Sequence, residues 1–191
     1  MWQTTVEDIE TVTNVLHDLV DSTLQESIVS YLRAKVETAR TMAATADDRR
    51  PDGPTPEQVE RIKARLAEIE VARSGYIYVI DGAGGVVLHP DPNIEGRVLP
   101  ELEPVRTQLE QREGYLEYLW QNTFEPAPEP KALYMMEYTP FDWIIGATSY
   151  RTEFVELVDA ERLAQTLGSV TFNFEGYSTV VAKDGTFIAH P

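Results

Sequence analysis

The first feature of the chain is a long stretch without glycine or proline in which apolar residues recur every four positions. Between Val6 and Ala46, apolar side chains stand at Leu16, Val20, Leu24, Ile28, Leu32 and Val36. This spacing predicts one amphipathic helix over residues 6–46. Because steps of four exceed a whole helical turn by about 40°, the apolar stripe winds around the helix. We expect part of it to pack on a sheet and part on a partner, the alternative being burial only within its own domain.

A second helix is predicted after the turn-rich segment DDRRPDGPTP. Thr55 suits the N-cap, Pro56 suits the first turn, and Gln58 stands where a capping box is closed. The apolar residues that share one face of this helix are Val59, Ile62, Leu66 and Ile69. We expect the helix to end near Gly75, because glycine readily leaves helical geometry.

From residue 76 onward the apolar pattern becomes that of β-strands. Tyr76–Asp81 and Val86–His89 flank a glycine-rich turn and predict a hairpin. A short helix is predicted at about Val105–Arg112, and three further strands at Tyr115–Trp120, Ala132–Tyr138 and Trp143–Ser149. Five strands preceded by helices indicate an α+β fold in which neighbouring strands are antiparallel.

The hairpin sequence occurs twice. GYIYVIDGAGGVVLHP at residues 75–90 aligns without a gap on GYSTVVAKDGTFIAHP at residues 176–191, and the residues from 151 to 167 between them have a helical pattern. A lone two-stranded unit cannot bury a core. We therefore expect the chain to be a fragment of something longer, the alternative being that the second hairpin adds to another surface.

Composition narrows the classes of partner. A hydrophobic content of 42% and a charged content of 25% are typical of globular proteins. Since 32 acidic residues outnumber 16 basic ones, we expect no nucleic-acid partner and no binding to anionic lipid. No run of about eighteen apolar residues occurs. We expect the chain itself to be soluble, with membrane contact only through segments absent from it.

Catalytic and metal-binding patterns are missing from the sequence. Without cysteine there is no disulfide, thiolate metal site or Cys nucleophile, and the three histidines are His17, His89 and His190. The chain has no GxSxG, HExxH or Walker motif. A solvated surface explains acidic pairs such as Asp47-Asp48 better than a cation site does. We expect no enzyme activity, no cofactor and no metal site.

Aromatic residues on the predicted strands are candidates for a ligand pocket. The pairs that share one face of a strand are Tyr76 with Tyr78, Tyr118 with Trp120, and Tyr134 with Tyr138. An aromatic, concave sheet fits a small-molecule pocket, and a plain hydrophobic core is the alternative. Because buried tyrosine hydroxyls need hydrogen-bond partners, so many tyrosines favour a polar pocket.

Two basic residues lie next to these aromatics. Lys131 is the only lysine between residues 64 and 182, and its ammonium at the start of a strand could pair with a ligand carboxylate. The alternative is a solvated lysine. His89 precedes Pro90, and His190 stands at the same place in the second copy. This duplication favours a structural histidine, hydrogen-bonded to loop backbone, over a ligand contact.

In this order of features the chain resembles the Cache superfamily, the PAS-like sensor domains found outside the membrane in prokaryotic chemoreceptors and sensor kinases. The resembling elements are the long helix, GYIYVID, the His-Pro pair, GYLEYLW, Lys131 before LYMMEY, and FDWIIGATSY. The resemblance implies a long N-terminal helix packed on a PAS-like, five-stranded antiparallel sheet. The domains it implies are a helix at 1–50, a first module at 51–150, a connecting helix at 151–170 and an incomplete second module at 171–191.

The resemblance also implies a function. The chain would be an extracytoplasmic sensory domain of a transmembrane receptor that binds an organic acid of about two to four carbon atoms and signals through its helix. A weak homodimer would form through the 6–46 helix. The implied ligand-binding residues are Tyr78, Tyr118, Trp120, Lys131 and Tyr134, with Tyr76, His89 and Tyr138 beside them. The alternatives are a ligand-free interaction module and a cytosolic PAS-like regulator.

Overall fold

The computed structural model describes residues 2–46, 54–121, 126–157, 180–181, 185 and 187–189. The chain forms two compact units, of which the larger comprises Ile28–Glu153 and the smaller comprises residues 1–27 and 154–191. The larger unit contains the five-stranded sheet and the second half of the long helix. The domain boundaries inferred from the sequence stay a prediction.

The first element is the predicted long helix, α1, which spans Trp2–Ala46. In its second half the fully or almost fully buried residues are Ile28, Leu32, Val36, Ala39, Ala43 and Ala46. Their spacing of three and four places them on one face. This face packs within the larger unit, where Arg40 Nη1 lies 3.6 Å from Met136 Sδ of the sheet. The apolar face of α1 from Ile28 to Ala46 is therefore buried within the chain itself. The homodimer expected through the 6–46 helix stays a prediction.

The second helix, α2, spans Pro56–Ala67 and begins with Thr55 as N-cap and Pro56 in the first turn, as predicted, but the Gln58 side chain does not close the predicted capping box. The backbone N–H of Gln58 donates to the Thr55 hydroxyl at 3.3 Å, which satisfies one of the free donors of the first turn. The Gln58 side chain in turn donates to the carbonyl oxygen of Ala46 at 3.3 Å. One glutamine thus fixes the beginning of α2 against the end of α1.

The predicted end of α2 near Gly75 is wrong, because the helix stops at Ala67. The chain then turns, and buried Val71 forms a β-bridge with Gly75. The N–H of Ala72 donates to the Tyr31 hydroxyl of α1 at 2.9 Å. The bond to Tyr31 is tertiary, so the apolar pattern of residues 56–75 does not by itself encode where the helix ends.

All five predicted strands form one antiparallel sheet. The strands are β1 (Tyr76–Asp81), β2 (Val86–Leu88), β3 (Gly114–Trp120), β4 (Glu129–Tyr138) and β5 (Trp143–Tyr150). Their order is β2-β1-β5-β4-β3, which makes β2 and β3 the edges. The short helix α3 spans Glu103–Gln111, between β2 and β3 in the chain. The architecture confirms the predicted α+β class.

The sheet has two differently covered faces. Side chains alternate along β4, so Met136 lies on the face that contacts α1, and Leu133 and Met135 lie on the other. The second face carries a buried cluster that also includes Tyr78, Ile80, Val86, Ile144 and, from α3, Val105. Helix α3 therefore packs opposite α1, on the far face of the sheet.

After β5 the chain forms a 3-10 helix at Arg151–Leu157, where the connecting helix was predicted to begin. The rest of that segment lies outside the described residues. In the smaller unit β6 (Val180–Val181) pairs antiparallel with β7 (Phe187–Ala189), as a duplicated hairpin predicts. His190 lies outside the described residues.

Candidate functional site

A cavity of about 50 Å³ lies between β1, α3 and the loop that follows β2. Its aromatic lining consists of Tyr76, Tyr78, His89, Tyr118 and Trp120, and aliphatic side chains from β1, β2, the loop and α3 complete it. We call it the β1–α3 cavity. Five of the eight sequence-predicted site residues therefore line a single cavity.

The strand register explains how these aromatics meet. Tyr118 of β3 pairs with Lys131 of β4, which pairs with Tyr150 of β5. On β5, Thr148 pairs with Tyr76 of β1. Since directly paired residues share a face of the sheet, three strand pairings bring β1 and β3 side chains to the same face. No local pattern reveals this, because β1 and β3 are separated by two strands.

Lys131 is buried, with 1% of its surface exposed, so a solvated lysine is excluded. Its ammonium nitrogen lies 4.6 Å from the ring centroids of both Tyr76 and Tyr150. It also donates a hydrogen bond to the Tyr76 hydroxyl oxygen at 3.3 Å. The two rings stabilise the charge by cation–π attraction. Lys131 is not itself part of the cavity lining and reaches the cavity through Tyr76.

The tyrosine hydroxyls of the cavity are hydrogen-bonded. Tyr78 donates to Gln108 Oε1 at 2.6 Å. The Tyr118 hydroxyl lies 3.2 Å from Thr148 Oγ1, and Tyr118 is the donor because the single Thr148 proton goes to the Ala132 carbonyl at 2.9 Å. Burial raises the pKa of Tyr78 well above its ordinary value and the pKa of Tyr118 to about 12. Both hydroxyls therefore stay neutral and act as hydrogen-bond donors.

His89 combines the two roles that the sequence left open. Its Nδ1 accepts the backbone N–H of Asp91 at 3.0 Å, which is a structural bond to the loop. Its ring also lines the cavity, 5.0 Å from the Tyr76 ring centroid. Because Nδ1 is an acceptor, the neutral imidazole carries its proton on Nε2, the atom it can offer to a ligand. Burial lowers the pKa of His89, and the Lys131 charge lowers it further.

Tyr134 and Tyr138, which the sequence grouped with the site, are not part of the cavity lining. Both are buried on β4 at even-numbered positions, opposite in face to Lys131, Leu133 and Met135. The Tyr138 ring instead packs edge-on against Phe141 at 5.3 Å between centroids. Because strand side chains alternate, Lys131 and Tyr134 cannot share a face, and this parity was available in the sequence.

The residue that sequence reasoning missed is Gln108, which lies on α3 with 2% of its surface exposed and lines the cavity. Its only sequence signal is its position three residues after Val105, which places both on one face of a short helix. A glutamine on a short helix usually lies exposed to solvent. Its burial depends on packing against β1, which the sequence does not specify locally.

The described residues contain neither a cluster of metal ligands nor a membrane-spanning helix. Within the ranges that the structure describes, no three His, Asp or Glu side chains lie close enough to hold a metal ion. None of the described helices is long and apolar enough to span a bilayer.

The lowered pKa of His89 gives a prediction about stability. The unfolded chain takes up a proton at the ordinary value of about 6.5, while the folded chain resists it. The stabilisation is therefore complete above about pH 6.5 and is lost as pH falls through the folded value, with a slope of at most about 1.4 kcal/mol per pH unit. Urea unfolding at pH 7.5, 6.5, 5.5 and 5.0 should show this loss, and His89→Asn should flatten it.

The acidic groups near His89 do not contribute to the loss of stability expected just below pH 6.5. Asp91 and Glu95 have pKa values lowered from 3.8 and 4.5, so their titration affects stability at lower pH. The matched control is His17→Asn on exposed α1 surface, whose pH profile should equal that of the wild type. If the free energy of unfolding depended on pH equally in the His89 and His17 variants, the loss of stability would not be due to His89.

Comparisons with known proteins gave one family and several similar structures. The family model described as "Cache domain" matches residues 2–191. A solved periplasmic sensor domain of a chemotaxis protein is 26% identical with a TM-score of 0.54, and the match covers 64% of this chain and 94% of that one. A methyl-accepting chemotaxis protein from Vibrio parahaemolyticus is 21% identical with a TM-score of 0.58, covering 75% and 99%. The second likeness shows a shared fold.

Proposed function

Because the chain belongs to the Cache domain family, we propose that it is the extracytoplasmic sensory domain of a transmembrane receptor of the chemoreceptor or sensor kinase type. We place its ligand, a small organic carboxylate, in the β1–α3 cavity. The likeness to a periplasmic sensor domain of a chemotaxis protein supports the location. No catalytic role enters the proposal.

The observation that carries the carboxylate proposal is the buried Lys131 ammonium beside the cavity. Lys131 thereby places a positive charge beside the cavity, against the rings of Tyr76 and Tyr150. A carboxylate nearby would add an opposite charge where water screens it least. An anionic ligand is thus favoured over a neutral or cationic one.

Tyr76 is the residue through which Lys131 would act on the ligand. Its hydroxyl oxygen accepts the ammonium hydrogen bond, which polarises the Tyr76 O–H into a stronger donor. His89 Nε2–H is a second donor on the lining. A carboxylate bound at this end would receive hydrogen bonds from both, while its carbon chain would contact Tyr118, Trp120 and the aliphatic wall.

Helix α1 is the proposed route of the signal. Within the larger unit it is joined to the sheet by the Arg40–Met136 contact and to the turn before β1 by the Tyr31–Ala72 hydrogen bond. A ligand that shifts β1 would change the positions of α1 that the sheet favours. If α1 has two positions relative to the sheet, the free energy available to the signal would equal the difference between the ligand's binding free energies for these two positions.

The proposal is tested by thermal shift and calorimetry with the purified chain at fixed ionic strength. The panel contains acetate, propionate, lactate, pyruvate, succinate and amino acids, with sodium chloride as the matched salt. A ligand at a hundred times its Kd should add about 2.7 kcal/mol and raise Tm by several degrees. A folded sample that responds to none of the carboxylic acids would overturn the ligand class, and a response to amino acids alone would replace it.

A further inference from the structure

Gln108 joins helix α3 to strand β1 across the cavity. Its Oε1 accepts the Tyr78 hydroxyl at 2.6 Å, and its Nε2 donates to the carbonyl oxygen of Pro104 one turn earlier at 2.8 Å. Both ends of the amide are therefore used, and the side chain has 2% of its surface exposed. A buried amide with these bonds has one orientation, because turning it over would place like groups against each other.

Tyr78 cannot move away from Gln108. A Cβ atom added at Gly146 would lie 2.9 Å from Tyr78 Cε1 and 3.1 Å from Cζ, so the ring rests directly on the Gly146 backbone. Its hydroxyl on the other side is held by Gln108. The ring is thus fixed between a strand of the sheet and a helix.

Helix α3 is itself attached to the sheet at its far end. Arg112, the C-cap residue, forms ion pairs with Glu137 of β4 at 3.3 Å and with Asp142 of the β4–β5 turn at 2.7 Å. These groups are partly exposed, so each pair contributes little alone, but together they restrict the direction of the helix. Both partners of the Gln108–Tyr78 hydrogen bond are therefore held in place, Tyr78 by the Gly146 backbone and Gln108 by the attachment of α3 to the sheet.

The cavity is small on the scale of ligands. Since one water needs about 10–15 Å³ on the same measure, a cavity of about 50 Å³ holds about three to five heavy atoms. Acetate and propionate fit this limit and longer acids exceed it. We propose that Gln108 sets the upper limit of ligand length by closing the cavity over Tyr78. This inference rests on the proposed carboxylate function and narrows it to acids of two or three carbon atoms.

The experiment compares a homologous series in which only length changes. Calorimetry with acetate, propionate, butyrate and valerate should show affinity rising about fourfold for a methylene that fits, then falling at least tenfold at the first that does not. In Gln108→Ala, which removes the side chain beyond Cβ, this limit should move outward by about two carbon atoms. Gln108→Leu keeps most of the volume and should keep the limit.

The matched control is Gln111→Ala, the same change on an exposed position of the same helix, which should leave the wild-type profile unchanged. Thermal melts report whether each variant is folded. A folded Gln108→Ala with the wild-type length limit would overturn the inference while leaving the carboxylate function standing. A limit that moves equally in Gln111→Ala would also overturn it.

A neutral series separates the two proposals. The primary alcohols from ethanol to pentanol have no carboxylate, and amide chemical-shift changes of Tyr78 and Val105 report their presence in the cavity. Shifts that extend to longer alcohols in Gln108→Ala, with no acid bound by the wild type, would reject the carboxylate function and keep Gln108 as the length limit. No binding of either series to wild type and variant would overturn both.

Discussion

Lys131→Met is expected to abolish most of the response to organic acids and to leave the fold intact. Methionine fills a similar volume between Tyr76 and Tyr150 but carries no charge. Because Lys131 acts on the carboxylate through Tyr76, the loss should lie at the lower end of the roughly 1.5–3 kcal/mol that a charge-assisted hydrogen bond contributes, which is about tenfold in acid affinity. Because methionine fills nearly the same space, the ligand-free variant should fold and unfold at a temperature close to that of the wild type. Calorimetry and a thermal melt measure the two quantities.

The chain contains a matched control for this change. Lys35 also lies over a tyrosine ring, 5.3 Å from the Tyr31 centroid, but on half-buried α1 surface away from the cavity lining. Lys35→Met should keep full acid affinity. If the Lys131→Met protein bound acids as tightly as the Lys35→Met protein, a role of Lys131 in carboxylate binding would be rejected. A Lys131→Met protein that melts far below the wild type would show instead that the ammonium serves the fold.

Gly75→Ala is expected to be the most damaging small substitution at the start of β1. An added Cβ would lie 2.4 Å from the Thr148 carbonyl oxygen and 2.6 Å from both the Val71 carbonyl oxygen and Ser149 Cβ. Backbone atoms on two sides cannot move aside without separating β1 from β5. We expect a loss of about 3 kcal/mol, which lowers Tm by about 6–12 °C for a chain of this size.

The control for Gly75→Ala is the same substitution at Gly96. Gly96 has φ of +81°, and no atom lies within 4 Å of an added Cβ, so only backbone strain of about 1 kcal/mol is expected there. Thermal melts of both variants measure the difference. A Gly75→Ala protein that melts no lower than Gly96→Ala would refute the close approach of Val71, Gly75 and Thr148.

Local pattern was sufficient for the elements themselves. The spacing from Leu16 to Val36 predicted α1, Thr55 and Pro56 predicted the start of α2, and β-branched and aromatic runs bounded by turns predicted the five strands. Each of these signals is carried by residues within a few positions of one another, and the backbone responds to them locally. The repeated Gly-Tyr at the start of β1 is a different kind of signal. Its glycine is required by neighbours from two other segments.

The sequence by itself determined which residues are aromatic, which strand positions share a face, and that a lysine with no other lysine nearby in the chain lies close to the start of β4. Only the tertiary structure decided which face of β4 belongs to the cavity, and it placed Tyr134 and Tyr138 on the side away from it. It also brought Gln108, thirty positions along the chain from Tyr78, into the lining. The physical reason is that burial depends on which elements pack together, and that choice is made by contacts between distant segments rather than by the period of any one of them.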